Sequence, residues 1–306
     1  MIVGRAAGQT DTGRKRRRNE DAFVCDPPLF AIADGMGGAQ AGELASRLAA
    51  AAIEEAAAAV SDKEGVVGVV RTANARIFQR SLQDPGVAGM GTTATVALVD
   101  ERAGALSVAH VGDSRAYRFR DGTLEQLTTD HSLVGELVRS GRLTEDEAAV
   151  HPHRSVITRA LGTEAEVDVD TLTVDLRPGD LVLLCSDGLS AMVRDDEIAR
   201  LLGAADGDPH RAAEALIGAA NAAGGEDNVT VVLFEVVEGE PAERTRASSD
   251  GSPPRPALDP DEETSETVVD GVRRHGAGKG SRWPALLLVI TLLAIATFAV
   301  WWSLLR

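Results

Sequence analysis

The chain has 306 residues, is 44% hydrophobic and carries a formal net charge of −16. That length holds one large domain with extras, and that acidity excludes nucleic acid as the principal partner. Its two cysteines, Cys25 and Cys185, are too few for a disulfide framework and point to a reducing compartment.

Residues 1–21 are polar and end in Arg14-Lys15-Arg16-Arg17-Arg18-Asn19-Glu20-Asp21. Strands are predicted over 22–25 and 29–33. The second runs Leu29-Phe30-Ala31-Ile32-Ala33 into Asp34, with Gly35, Gly37 and Gly38 beyond. A buried strand there delivers a carboxylate to a cleft, and the glycines let backbone groups approach a ligand. Alanine-rich helices are predicted over 41–60 and 65–83, with Leu44, Leu48, Ala52 and Ile53 at helical spacing in the first. A glycine-rich break at 86–91 leads into a strand over 92–99. Strands over 104–111 and 115–120 flank Gly112-Asp113-Ser114, and Asp121-Gly122 is a hairpin turn. The polar stretch 130–163 reads as helix plus loop and holds His131, His151 and His153. Strands follow over 169–175 and 181–185, the latter closed by Asp187-Gly188. Helices over 195–202 and 210–223 precede Gly224-Gly225-Glu226-Asp227-Asn228 and a last strand over 229–237. Antiparallel-looking strand runs with helix pairs between them predict sheets covered by helices, not a βαβ array.

From Glu238 the composition turns to Pro, Ser, Thr and acids, then to a basic, glycine-rich stretch ending near 282. This reads as a flexible linker over 238–282, in which Thr264 and Thr267 are candidate kinase targets. Residues 283–305 carry no charge. As a helix they span ~35 Å, against a hydrocarbon core of ~30 Å. Trp283, Trp301 and Trp302 lie near the two ends, as in an aromatic belt, and Arg273, Arg274, Lys279 and Arg282 precede the run. The expectation is a single-pass anchor in the cell membrane with the domain of residues 1–237 on the cytoplasmic side.

Four acids stand at predicted strand ends or turns: Asp34, Asp113, Asp187 and Asp227. Glu20-Asp21 is a fifth acidic point. Buried acids repel one another unless cations balance them. If these converge, they make an oxygen-rich site for more than one Mg²⁺ or Mn²⁺ ion, suited to phosphoryl displacement. Arg16 then suits the phosphate oxygens. Spacing alone does not bring distant acids together, and five unrelated turns fit it equally well.

The ordered motifs go further. Arg16-x-x-Asn19-Glu20-Asp21, Ala33-Asp34-Gly35-Met36-Gly37-Gly38, Gly91-Thr92-Thr93, Gly112-Asp113-Ser114-Arg115, Ser186-Asp187-Gly188 and Asp227-Asn228 occur in this chain in that order. So do Leu127-Thr128-x-Asp130-His131-Ser132 and Ile157-Thr158-Arg159-Ala160-Leu161-Gly162. Over residues 1–237 the chain resembles the metal-dependent type 2C (PPM) Ser/Thr protein phosphatases, in particular the bacterial membrane-anchored branch that opposes transmembrane Ser/Thr kinases. The resemblance implies an α+β fold, a four-layer αββα sandwich of two antiparallel sheets flanked by helices. It implies a binuclear Mn²⁺ or Mg²⁺ site: Asp34 bridges, Asp187 and Asp227 complete one ion, and Glu20 with the Gly35 carbonyl serves the other. Asp113, with Asp187, would hold a weaker third ion. Asp21 would orient the attacking water, Arg16 would bind phosphate, and a metal-bridging hydroxide would attack phosphorus with no phosphoenzyme. The implied substrates are phosphoserine and phosphothreonine proteins, Ser/Thr kinases among them.

Met36 stands where many eukaryotic relatives have a histidine proposed as general acid, so the proton for the leaving group must come from elsewhere. His131, His151 and His153 are candidates by residue type, with a structural role the simpler reading. Cys185 suggests cysteine-phosphatase chemistry, but the next arginine, Arg194, is too far along the chain to wrap a phosphate, so Cys185 reads as core packing. Two alternatives stay open. One is an inactive phosphopeptide-binding scaffold, which the complete acid set disfavours. The other is a small-molecule phosphoester hydrolase on the same fold.

Overall fold

The computed structural model describes residues 1–37 and 41–240. The predicted linker beyond 240 and the predicted span 283–305 lie outside the described residues. Among the described residues no helix is long and apolar enough to cross a membrane.

Two antiparallel sheets carry the fold. The first takes β1 (Ile2–Asp11), β11 (Val229–Val237), β10 (Leu181–Cys185), β7 (Arg115–Arg120) and β8 (Thr123–Gln126), in that spatial order. The second takes β2 (Asp21–Asp26), β3 (Leu29–Met36), β5 (Ala94–Asp100), β6 (Ala105–Val111) and β9 (Asp170–Asp175), with short β4 (Gly91–Thr92) pairing the end of β3. Alternation sends one face of each central strand to a different core. Phe30 and Ile32 of β3, Val182 and Leu184 of β10, and Val232 and Phe234 of β11 meet between the sheets. There Phe30 and Phe234 stack with ring centroids 4.1 Å apart.

The opposite faces are covered by helices. Leu29, Ala31 and Ala33 of β3 pack with α1 (Ala41–Ala56) and α2 (Lys63–Gln83). Leu181, Leu183 and Cys185 of β10 pack with α6 (Asp195–Ala204) and α7 (Pro209–Ala222). The inward stripe of α1 is Ala45, Ala49, Ala52 and Ile53, while Leu44 and Leu48 are only partly buried at its flank. Small side chains let α1 lie close on a strand whose own inward residues are mostly alanine.

Two predicted segments differ. The polar leader is strand β1, paired along β11. Beyond the Asp121-Gly122 turn, where both residues have positive φ, lies the edge strand β8. The predicted helix-plus-loop stretch 130–163 contains α3 (Leu133–Arg139) and α4 (Glu145–Ala149), and α5 (Asp187–Ser190) opens directly after β10.

Candidate metal centre

The predicted acids stand at matching strand ends. Asp21 opens β2 and Asp34 lies near the end of β3, and the two are direct cross-strand partners. Asp187 follows β10, and Asp227 precedes β11, the neighbour of β10. Asp113 sits on the turn by which the chain leaves β6 in one sheet and enters β7 in the other.

Their surroundings are built from hydroxyls and backbone. The Asp34 N–H donates to Thr93 Oγ1 (3.0 Å), and Thr92 Oγ1 donates to the Asp34 carbonyl (2.8 Å). Thr93 Oγ1 lies 2.5 Å from Ser114 Oγ, beside Asp113. Asp21 reaches across the sheets, where its Oδ2 accepts from Ser186 Oγ (2.9 Å) and Thr230 Oγ1 (2.5 Å). The Asn228 side chain accepts from the Glu20 N–H (2.8 Å) and donates to the carbonyls of Thr12 (3.0 Å) and Arg18 (2.9 Å), pinning the Arg14–Arg18 loop. Gly35 N–H donates to the Glu20 carbonyl (3.1 Å). A Cβ built on Gly42 would lie 2.4 Å from Glu20 Oε2 and 2.8 Å from the Gly35 carbonyl. Glu20 and Gly35 therefore present oxygens to one hollow that only glycine keeps open.

Electrostatics identify the acids as one group. Burial pushes Asp34 well above the carboxylate range, and the charges of Asp21, Asp187, Asp113 and Asp227 add to that. Burial likewise raises Asp21 to about 7, against the hydrogen bonds from Thr230 and Ser186 and with the charges of Asp187 and Asp227. Asp113 is pushed up to about 8 by burial and then by Asp187 and Asp130. Asp187 rises to about 6 through burial and Asp227, against a hydrogen bond from Asp34. Glu20, less enclosed, is raised by burial as well. Only cations or protons make such a cluster tolerable.

Divalent ions fit this donor set. Asp21 Oδ1, Asp113 Oδ1 and Asp187 Oδ1 are buried with no hydrogen-bond partner, and orphaned carboxylate oxygens are expensive to bury. Hard cations prefer such oxygens. Among the described residues no three His, Cys, Asp or Glu side chains are already gathered into a set that could hold an ion. Arg16 Nη2 donates to Asp227 Oδ2 at 2.6 Å, so a guanidinium already offsets part of the charge at one side of the cluster.

The histidines and cysteines stand elsewhere. His131 is buried behind the Asp113 turn, its Nδ1 accepting from the Gly112 N–H (3.0 Å). His151 and His153 contact each other edge to face beyond α4. Cys185 is wholly buried in the β10 core and its thiol is pushed up to about 12 by burial, so it supplies no thiolate. Sequence reasoning missed Thr230, Ser186 and Asn228 as the supports of Asp21 and Glu20. Ser186 and Asn228 lay inside quoted motifs, whereas Thr230 carried no signal of its own. An open cleft of about 830 Å³ begins at Met36 and is lined by Arg71, Asn74, Arg159, Glu164 and Asp168 among others.

A family model described as Protein phosphatase 2C matches residues 12–247. The chain is 38% identical over 239 residues to the Serine/threonine phosphatase stp of Listeria welshimeri, covering 74% of this chain and 94% of that protein. It is 42% identical over 243 residues to the Serine/threonine protein phosphatase PstP of Mycobacterium tuberculosis, covering 78% of this chain and 46% of that one. The crystal structure of the M. tuberculosis phosphatase PstP/Ppp superimposes with a TM-score of 0.73 at 39% identity, over 78% of this chain and all of that chain (100%). The PstP catalytic domain solved in complex with two manganese ions gives 0.72 at 39% identity, over 78% of this chain and 100% of that one.

Proposed function

The chain belongs to the protein phosphatase 2C family, and from that premise we propose how its own residues carry out metal-dependent hydrolysis of phosphoserine and phosphothreonine proteins. The observation that carries the reading is the set of three buried, unpartnered carboxylate oxygens on Asp21, Asp113 and Asp187. They stand where both sheets end.

Two Mn²⁺ or Mg²⁺ ions suit the site. Asp34, Asp187 and Asp227 would hold one, with Asp34 shared. Glu20 and the Gly35 carbonyl would hold the other. Asp113 with Asp187 offers a third, weaker position. When bound, such ions offset the carboxylate and phosphate charge and activate water for in-line attack on phosphorus.

The protein residues do the rest. Arg16 is half-exposed on the rim, so it can leave Asp227 and fork onto phosphate oxygens. Asp21 has Oδ2 fixed by two hydroxyls and Oδ1 free, which suits a carboxylate that orients the attacking water. The cleft from Met36 offers room for the peptide on either side of the phosphorylated residue. Cys185, enclosed in the β10 core, offers no covalent nucleophile, in keeping with direct displacement.

Beyond the domain of residues 1–237, we read 238–282 as a linker and 283–305 as a single membrane span. The phosphatase would then act at the cytoplasmic face of the cell membrane, opposing Ser/Thr kinases. The uncharged run and the arginines and lysine preceding it support this.

The test compares Mn²⁺-dependent turnover of a phosphothreonine peptide with that of a small aryl phosphate, with and without EDTA. The reading expects EDTA-sensitive hydrolysis with a clear preference for the peptide. EDTA-resistant turnover would refute the metal mechanism, and preference for the small ester would favour the small-molecule alternative. Deleting residues 283–306 should move the protein to the soluble fraction with peptide hydrolysis unchanged.

A further inference from the structure

Residues 133–156 form a largely exposed lobe on the surface of the domain. Neither α3 nor α4 buries a residue. At the base of the lobe, its neck, Ser132 and Ile157 form a β-bridge, and farther out the ion pairs Arg154–Glu226 (3.1 Å) and Arg194–Asp146 (3.7 Å) tie it to the domain. Leu133 N–H donates to the Val156 carbonyl (2.9 Å), and Thr158 N–H donates to the His131 carbonyl (2.8 Å).

His131 sits at the base of that neck and grips Gly112 twice. Its N–H donates to the Gly112 carbonyl (2.7 Å), and its Nδ1 accepts from the Gly112 N–H (3.0 Å). A backbone N–H can only donate, so Nδ1 is unprotonated and the neutral ring carries its proton on Nε2. Nε2 faces Asp170 Oδ2 at 3.1 Å, and Arg159 reaches Asp170 Oδ1 at 2.6 Å. Asp170 thus reconciles two donors, Nε2 and Arg159 Nη1, that stand 3.1 Å apart.

Gly112 is held on its other side too. It has φ +112, and a Cβ there would lie 2.5 Å from Thr93 Cγ2. The next residue is Asp113, buried and with Oδ1 unpartnered. One residue therefore spans the distance from the neck of the lobe to the turn that presents an acid.

We propose that His131 is a positioning residue for hydrolysis: it fixes the Gly112-Asp113 turn and the neck of the 133–156 lobe together. The proposal rests on the metal-site reading above. Its chemical requirement is an acceptor at the Nδ1 position, and asparagine supplies one there. Glutamine places its amide at the Nε2 position instead.

The test uses the full chain as wild type and as His131→Asn, His131→Gln and His131→Ala. Two quantities are read: hydrogen exchange at the segment containing Gly112 without metal, and Mn²⁺ binding followed by electron paramagnetic resonance. Peptide kcat and KM accompany them. The expected result is that Asn keeps slow exchange and weak-site Mn²⁺ affinity within about three-fold of wild type. Gln and Ala should speed the exchange and weaken that site about ten-fold, as loss of one buried hydrogen bond implies. The kinetic loss in these two should fall on kcat more than on KM.

Equal behaviour of Asn and Gln would overturn the proposal, and that contrast stands even if the Ala variant fails to fold. A wild type that neither binds Mn²⁺ nor hydrolyses peptide would overturn the phosphatase reading and the role in hydrolysis with it. Gly112 exchange needs no ion, so it separates that outcome from a failure at His131 itself.

Discussion

Asp21 and Asp34 face each other as cross-strand partners on β2 and β3. Like charges directly opposite one another destabilise a sheet, and burial makes the repulsion stronger. The pair persists because it is not two free charges. Asp21 has its Oδ2 doubly hydrogen-bonded, and burial raises both carboxyls out of their ordinary range.

That arrangement sets a pH dependence for the metal-free chain. Asp21 and Asp113 rise from an ordinary 3.8 to about 7 and about 8. The folded chain keeps protons that the unfolded chain has lost, so stability falls as pH climbs through these values. His110 works the other way, since burial holds it down to about 4, but its effect fades above about pH 6.5, where the unfolded imidazole loses its proton. Between pH 6.5 and 8.5 the acids therefore dominate. Without metal, the midpoint of thermal unfolding should fall across that window, by up to about 1.4 kcal/mol of stability per pH unit for each titrating group. Added Mn²⁺ should stabilise more at pH 8.5 than at pH 6.5. A flat or rising metal-free profile would contradict it.

Asp187→Asn separates catalytic from structural roles. Asp187 Oδ1 is buried and unpartnered, and the charge of this carboxylate acts on Asp34. Peptide turnover should drop by about 10³-fold, beyond the 10–100-fold typical of a residue that merely supports a ligand. The metal-free protein should hold or gain stability, because one repelling charge is gone. Steady-state kinetics with calorimetric unfolding of the same sample checks both halves.

Thr93→Val keeps the shape of the side chain and removes its hydroxyl. The Asp34 N–H then loses its acceptor and Ser114 its partner. A buried donor left unpaired costs about 1–3 kcal/mol, which urea unfolding will register. Turnover should fall as well, with Mn²⁺ half-saturation shifted upward. Thr93→Ser should recover most of both.

Gly42→Ala tests the hollow between Glu20 and the Gly35 carbonyl. The added methyl sits within contact of both oxygens. The Glu20 carboxylate can swing away, whereas the Gly35 carbonyl cannot without moving β3. Half-saturating Mn²⁺ should rise about ten-fold, worth 1.4 kcal/mol, with the far-ultraviolet circular dichroism spectrum unchanged.

Much of the architecture was legible because the central strands are buried on both faces. Residues 29–33 and 181–185 read as continuous apolar runs, and 92–99 and 229–237 as apolar runs broken only by threonines and Glu235. β1 was not legible, since an edge strand rich in glycine and polar residues gains its identity only from pairing with β11. β8 hid for the same reason. In α1 Ala52 and Ile53 lie in the core as their spacing implied, with Leu44 and Leu48 packed at its flank, and Ala45 and Ala49 complete the stripe without a signal of size. The acids were legible as motifs, but their supports were not. Thr230 and Asp21 are separated by 209 positions, and no periodicity encodes a bond of that range.

The seam made by Phe30 and Phe234 also says where this chain tolerates change. Each acid is aimed by a strand whose preceding or following residues are locked into that stack or its neighbours. Adding or deleting one residue within β11 would swap inward for outward side chains along its whole length and carry Thr230 away from Asp21. Substitutions on the helical flanks leave that alternation untouched, so sequence drift belongs on the outside of the molecule and strand length is the quantity that cannot vary.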